Sequence, residues 1–450
     1  WVHLANSESV QSAALCFMRI GDLDSAISIV DKYDGENSAV DGMHGVLLLL
    51  QSLTSRSTMK GTKKQVRIQT ARKLLHNAAD ESTSPLYKWF YLASQNHLLD
   101  DNMTVEPFRC MDGDEYLSFA KINNSPFDDP DLICLDDKIL LHSMVAGISH
   151  CDFWPQGYIL PDKMDLFMAE ECRHDEKDLM SKKQWILKER SGYGSHGNSI
   201  ATTEEVLMSD ASKILCQRIV EPPMLIHSRK FSLRIYVVYF PSGQTFIEDG
   251  EETKAAELYV SREGLVKYAS AAYDTDGKAG NNDRYMTNSG RGDGRSSQQH
   301  DLRQLQKEFV DNDFDYQDMW ERIEESIQIV MKRYIDLKRD NPLAQDALAG
   351  RSNSSSGYSF IRHTYHPLST IPKILGFDYI LDSSANPYLL EINRFPGLEP
   401  RSSMDSRVKH SIVYDAWIAA SDRIGISKQH IQHLRPSDYK KFSLKKLSLS

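Results

Sequence analysis

The sequence predicts an α+β chain preceded by an all-helical segment, and three observations predict it. Apolar residues recur at helical spacing as far as about residue 110. From about Tyr116, short β-branched and aromatic runs alternate with helical stretches. Further on, two apolar runs, 374–381 and 388–392, flank Ser383-Ser384-Ala385-Asn386-Pro387 and read as a β-hairpin. At 450 residues the chain has room for two or three domains and a sizeable core. The expected division is a helical segment over 1–112, a mixed α/β unit over 113–425 and a basic tail over 426–450.

Within the helical segment, VQSAALCFMRIGDLDSAISIVDKY (10–33) keeps its apolar spacing on both sides of Gly21-Asp22, which predicts a helical hairpin. That hairpin resembles one degenerate tetratricopeptide-type unit, with no repeat of fixed period behind it. Residues 41–53, 63–80 and 84–99 predict three more helices. The run GVLLLL at 45–50 is far short of the ~20 residues of a membrane span and reads as buried helix. The first 25 residues lack the basic-then-apolar pattern of a signal peptide.

In the mixed unit, 131–144 and 153–161 alternate, and the second carries Pro155 and Pro161. WILK (185–188) reads as a strand, 189–197 as a glycine-rich loop and 198–201 as a second strand. A helix starts at Thr202 or Thr203, ahead of Glu204 and Glu205. Strands follow at 214–220, 230–240 and 257–270, then a long polar loop over 274–301. Residues 318–339 form a helix with Met319, Trp320, Ile323, Ile327, Val330, Met331, Tyr334 and Leu337 on one stripe, which is core packing. A Ser-rich connection spans 350–359, and an amphipathic helix runs through Val408, Ile412, Ala416 and Trp417.

The six cysteines, at 16, 110, 134, 151, 172 and 216, are scattered, with neither a CxxC nor a zinc-spaced Cys/His cluster. Reduced thiols in a cytoplasmic protein are the expectation. A net charge of −10 argues against a general nucleic-acid binder. From Arg401 onward, however, ten Lys/Arg face four Asp, about +6. That tail reads either as a solvated basic face or as a docking surface for an acidic partner.

The chemistry concentrates in the hairpin. With Asp382 and Pro387 flanking a four-residue loop, Asp378 falls opposite Glu391, and Asn393 shares their face. Directly opposed carboxylates repel, and a hard cation offsets that repulsion. Two carboxylates and an amide oxygen suit Mg²⁺ in a nucleotide site; the bland reading is a solvated hairpin with scattered acids. Gly192, Gly194 and Gly197 fit G-x-G-x-x-G, but the loop returns into a strand instead of opening a helix. It reads as a flap whose backbone could approach phosphate, or as an ordinary glycine hairpin. Lys188 ends the strand before that flap. The inverted order, with neither HRD nor DFG downstream, argues against a protein kinase. Lys230, Ser232 and Arg234 share one strand face, either toward phosphate or on a salt-bridged surface, and Arg262 repeats the theme two strands later.

Taken in order, these segments resemble the tubulin-tyrosine ligase-like family of the ATP-grasp enzymes. The matching stretches include WILKERSGYGSHGNSI, the run from Cys216 to Phe240 with its RKFSLRIYVVYF, LYVSREGLVKYAS, YMTNSG and ILGFDYILDSSANPYLLEINRFPGL, across roughly 260 residues from Trp154 to Asp415. The resemblance implies an ATP-grasp fold of two α+β lobes clamping ATP. It implies Lys188, Gly192, Gly194, Gly197 and Lys230 at the phosphates and Gln217, Arg218, Ile219 and Val220 as the hinge at adenine. Arg234, Arg262, Thr287 and Asn288 would line the γ-phosphate and acceptor side, with Asp378, Glu391 and Asn393 on Mg²⁺. The implied activity is ligation of tyrosine, glutamate or glycine to a protein carboxylate through an acyl phosphate, with tubulin tails as the first expected acceptor. Two departures stand out: Ser232 where the family carries Asp, and Glu189 where it carries Pro. They keep open a nucleotide-binding scaffold without turnover; a ligase with another acceptor is the third reading.

Overall fold

The computed structural model describes residues 6–19, 22–33, 35–54, 61–81, 87, 89–91, 120, 123, 132–149, 151–171, 183–190, 197–209, 214–247, 250–269, 271–273, 287, 299–340, 371–423 and 443–449. The N-terminal part is helical: α1 (Ser7–Arg19), α2 (Leu23–Val30), α3 (Ser38–Thr54) and α4 (Gly61–Glu81). Asp22 caps α2 by accepting from the Ser25 amide at 3.0 Å, so Asp22 works as a helix start. The leucine run of α3 is buried throughout, as its composition demands.

The rest is helix and antiparallel sheet. Helices α5 (Ile133–Asp136) and α6 (Lys138–Ala146) occupy the stretch whose alternation suggested strands. Asp137 decides between the two, because its carboxylate accepts from the Ile139 and Leu140 amides at 3.0 and 3.1 Å and caps α6. A four-stranded sheet follows, in the order β1 (Gly157–Leu160), β4 (Ile214–Arg218), β2 (Lys183–Glu189), β3 (Asn198–Thr202). Helix α7 (Met164–Glu171) packs beside β1, and α8 (Thr203–Met208) opens on a complete capping box between Thr202 and Glu205.

The larger sheet runs β10 (Gln299–Asp301), β9 (Glu257–Tyr268), β6 (Arg229–Phe240), β11 (Lys373–Leu381), β12 (Pro387–Asn393). The short β5 (Leu225–Ile226) pairs with β6, and β7 (Gly243–Ile247) and β8 (Gly250–Lys254) form a separate hairpin. Both faces of β6 are covered. Phe231, Leu233, Ile235, Val237 and Tyr239 join the core under α9 (Leu302–Asp311) and α10 (Tyr316–Asp340), where the expected stripe of α10 is buried as far as Tyr334 and Leu337 is half-buried. Tyr236, Val238 and Phe240 join a second core with the N-terminal helices and α11 (Ser403–Arg423). There Trp89 meets Trp417 edge-on at 4.9 Å. Helix α11 is therefore buried nearly all round, where its pattern suggested one apolar face.

Residues 444–447 form a strand, β13, paired with β9. Lys445 donates to Glu324 and Lys446 to Glu257, each at 2.6 Å, so these two tail cations already have carboxylate partners. No helix among the described residues is long and apolar enough to cross a membrane. The expected Ser-rich connection, and the helix over 84–99 apart from residues 87 and 89–91, lie outside the described residues. So does the 274–301 loop, apart from Thr287 and β10.

Candidate active site between the two sheets

The face of the large sheet that is apolar at Tyr236–Phe240 turns polar at its other end. Lys230, Ser232 and Arg234 alternate with the core residues of β6 and occupy that end. In β11 the same face carries Gly376 and Asp378, and Asp378 is the register partner of both Arg234 on β6 and Glu391 on β12. The predicted opposition of the two acids is present, but the route to it differs. Leu381, not Asp382, faces Pro387, and a bulge between Asp378 and Tyr379 restores the pairing by taking up Leu390. Asn393 Nδ2 lies 3.3 Å from Asp378 Oδ2 and 3.5 Å from Glu391 Oε1.

Cations crowd these acids. Arg234 grips Asp378 through two donors, Nε to Oδ1 and a second nitrogen to Oδ2 at 2.6 Å, and its remaining nitrogen donates to the Pro396 carbonyl at 2.9 Å. Gly376 makes this crossing possible, because a Cβ there would stand 2.8 Å from both Arg234 Cδ and Pro396 Cβ. Burial opposes the charge on Arg234, but the Asp378 carboxylate overrides it and holds the guanidinium protonated. Burial likewise pushes the Asp378 carboxyl up, yet Arg234 and then Lys267 hold it below the usual carboxylate range.

Lys267 on β9 is the register partner of Ser232, with its Nζ 3.7 Å from Asp378 Oδ2. From the smaller sheet, Lys188 reaches across. Its Nζ donates to Gln217 Oε1 at 2.7 Å and to the Leu390 carbonyl at 3.0 Å. Burial pulls Lys188, Lys230 and Lys267 each down to about 8. Four buried cations thus share one site with Asp378 and Glu391, and with Glu221 beside Lys230, an excess of one that a polyanion would balance.

The structure brings Lys188, Lys230, Arg234, Asp378, Glu391 and Asn393 to this site. It adds Thr287, whose hydroxyl donates to Ser232 Oγ at 2.6 Å. Gly197, at φ +75°, stands directly before β3. Its carbonyl accepts from the Glu189 amide at 2.8 Å, and a Cβ there would meet the Glu189 carboxylate at 2.7 Å. Gly192, Gly194 and Asn288 lie outside the described residues. Gln217 is buried beside Lys188, the Arg218 amide is bound by the Gln156 carbonyl at 2.8 Å, and Ile219 and Val220 continue the chain beyond β4.

Arg262 is the residue not brought here. It falls in an irregularity of β9, where three residues oppose Tyr236 alone, and its guanidinium lies 4.7 Å from the Trp320 ring centre and 2.8 Å from Glu324. Lys267, five residues on, is the β9 cation that faces the site, and sequence reasoning missed it. Arg262→Met is expected to lower stability by about 1 kcal/mol and to leave nucleotide binding unchanged. Lys267→Met is expected to weaken nucleotide binding at least tenfold. Calorimetric titration of both variants decides between the two positions.

Comparison with known proteins bears on this arrangement. The model of the tubulin-tyrosine ligase family matches residues 133–424. Human tubulin polyglutamylase TTLL6 is 26% identical over 326 residues, 68% of this chain and 32% of that protein. Tubulin polyglutamylase TTLL7 of Xenopus tropicalis is 23% identical over 410 residues, 86% of this chain and 40% of that protein. Human tubulin monoglutamylase TTLL4 is 25% identical over 282 residues, 60% of this chain and 20% of that protein. The chain therefore spans well under half the length of these relatives. Its family match covers β1 to β12 and every cation and acid of this site, and the chain belongs to the tubulin-tyrosine ligase family.

Proposed function

We propose that this chain is an ATP-dependent ligase that joins glutamate to a carboxylate of a protein acceptor, with tubulin tails as the acceptor. Glutamate is preferred over tyrosine and glycine because the relatives named above are glutamylases. The observation that carries the reading is the buried cluster of Lys188, Lys230, Lys267 and Arg234 around Asp378 and Glu391, lying where the two sheets meet. In this reading the sheets are the two lobes of an ATP-grasp fold.

ATP fits the excess of positive charge. A divalent cation fits the donor set, because Asp378, Glu391 and Asn393 offer hard oxygens on one patch, and turning the Asn393 amide would present its oxygen beside both carboxylates. Mg²⁺ there would offset negative charge on the triphosphate. Lys188 and Lys230 would hold the phosphates nearest the nucleoside, and Arg234 and Lys267 the terminal one, with Thr287 and Asn288 at the acceptor side. An acceptor carboxylate oxygen attacks the γ-phosphorus as the bond to ADP breaks. The glutamate amine then attacks the acyl carbon, phosphate leaves, and the ammonium proton passes to solvent. The cations stabilise charge on the transferring group without a protein nucleophile. The site of action would be cytoplasmic and cytoskeleton-associated.

The experiment is incorporation of radiolabelled glutamate into purified tubulin with ATP and Mg²⁺. Incorporation that disappears in Glu391→Gln is expected. Failure of glutamate, tyrosine and glycine alike would overturn tubulin as the acceptor and leave a ligase with another acceptor or a scaffold. The Ser232–Thr287 hydroxyl pair, standing where the family carries a carboxylate, favours a second reading as a scaffold that binds nucleotide without turnover. ATP binding with no ATP turnover on any acceptor would select it.

A further inference from the structure

The geometry points to Gln217 as a positioning residue that aims Lys188 at the nucleotide phosphates, rather than as a contact to the base. The inference rests on the nucleotide-site reading above. Gln217 is 1% exposed and both ends of its amide are engaged. Oε1 accepts from Lys188 Nζ at 2.7 Å, and Nε2 donates to the Pro155 carbonyl at 3.3 Å. The reversed amide would set a donor against an ammonium and an oxygen against a carbonyl, so the neighbours dictate its orientation.

The contact belongs to a closed circuit between the sheets. The Leu389 amide of β12 donates to the Phe153 carbonyl at 2.7 Å, and two residues on Pro155 receives Gln217. Gln217 holds Lys188, and Lys188 returns to the carbonyl of Leu390, next to the starting residue. The Leu390 bulge takes that residue out of the regular register of β11 and β12. Both acceptors of Lys188 in this circuit are neutral. They fix the direction of the ammonium without neutralising it, which leaves its charge for phosphate. A carboxylate at either place would consume that charge.

Calorimetric titration with ATP–Mg²⁺ and with adenosine, on wild type, Gln217→Leu, Lys188→Met and the double variant, tests this. Gln217→Leu is expected to weaken ATP binding tenfold or more and to leave adenosine within twofold, which also shows that the variant is folded. In the Lys188→Met background the same substitution is expected to change ATP binding less than twofold. Equal losses for ATP and adenosine would make Gln217 a base contact and overturn the inference. So would a full additional loss in the double variant. Should Gln217→Leu fail to fold, Gln217→Met keeps the length and removes the acceptor. A wild-type protein that binds neither ligand would overturn the nucleotide-site reading itself.

Discussion

Asp378→Asn is expected to lower folding stability by about 3–5 kcal/mol and to abolish glutamate incorporation, two losses with separate causes. Asp378 is buried, and its carboxylate is held ionised by Arg234 and then Lys267 against the cost of burial. Neutralising it leaves a guanidinium and an ammonium in the interior without their counter-charge. Breaking one side of a buried pair costs far more than the pair contributes net. Glu391→Gln is the matched control. Glu391 is only partly buried, so its stability is expected to stay within about 1 kcal/mol while turnover is lost. Urea denaturation of both variants beside the incorporation assay separates the two effects. The double variant Arg234→Met/Asp378→Leu should recover most of the stability and none of the turnover, since it removes both charges and keeps the volume. An Asp378→Asn protein as stable as wild type would show that Arg234 does not depend on this carboxylate for its burial.

The same residues show how far the sequence could be read. Asp378 opposite Glu391 was legible because strand periodicity and a short loop leave few registers, yet the predicted register is one residue off at the loop. The Leu390 bulge restores the pairing, and nothing in Tyr388-Leu389-Leu390 announces it. Lys230, Ser232 and Arg234 were legible as one face because the strand is regular there. Lys267 was not. The connection from Phe240 to Glu257 fixes no tight turn, and the irregularity around Arg262 breaks the parity that would have placed both cations. Residues 131–144 are short apolar runs, which periodicity alone cannot divide between strand and helix; Asp137 as a cap was the available signal. The burial of α11 depends on Trp89 and its neighbours, more than 300 residues away in sequence, and no local pattern reports such a contact.

Nucleotide affinity is expected to fall between pH 7 and pH 9 while the stability of the nucleotide-free protein rises over the same interval. Both follow from Lys188, Lys230 and Lys267, which burial pulls down to about 8 from an ordinary 10.5. Between those two values the unfolded chain binds more protons at these positions than the folded one. Stability therefore climbs with pH through that window. A bound triphosphate favours the ammonium form, so binding above pH 8 must take up the protons that the free site has lost. By the same linkage, each lysine that recovers its ordinary pKa on binding costs roughly a tenfold loss of affinity from pH 7 to pH 9. Calorimetry in buffers of different ionisation enthalpy counts the protons directly. Lys230→Arg should bind nucleotide with one proton fewer taken up at pH 9 and a flatter pH profile, because a guanidinium stays charged throughout. An affinity that does not change between pH 7 and pH 9 would mean that the buried ammonium groups do not meet the phosphates.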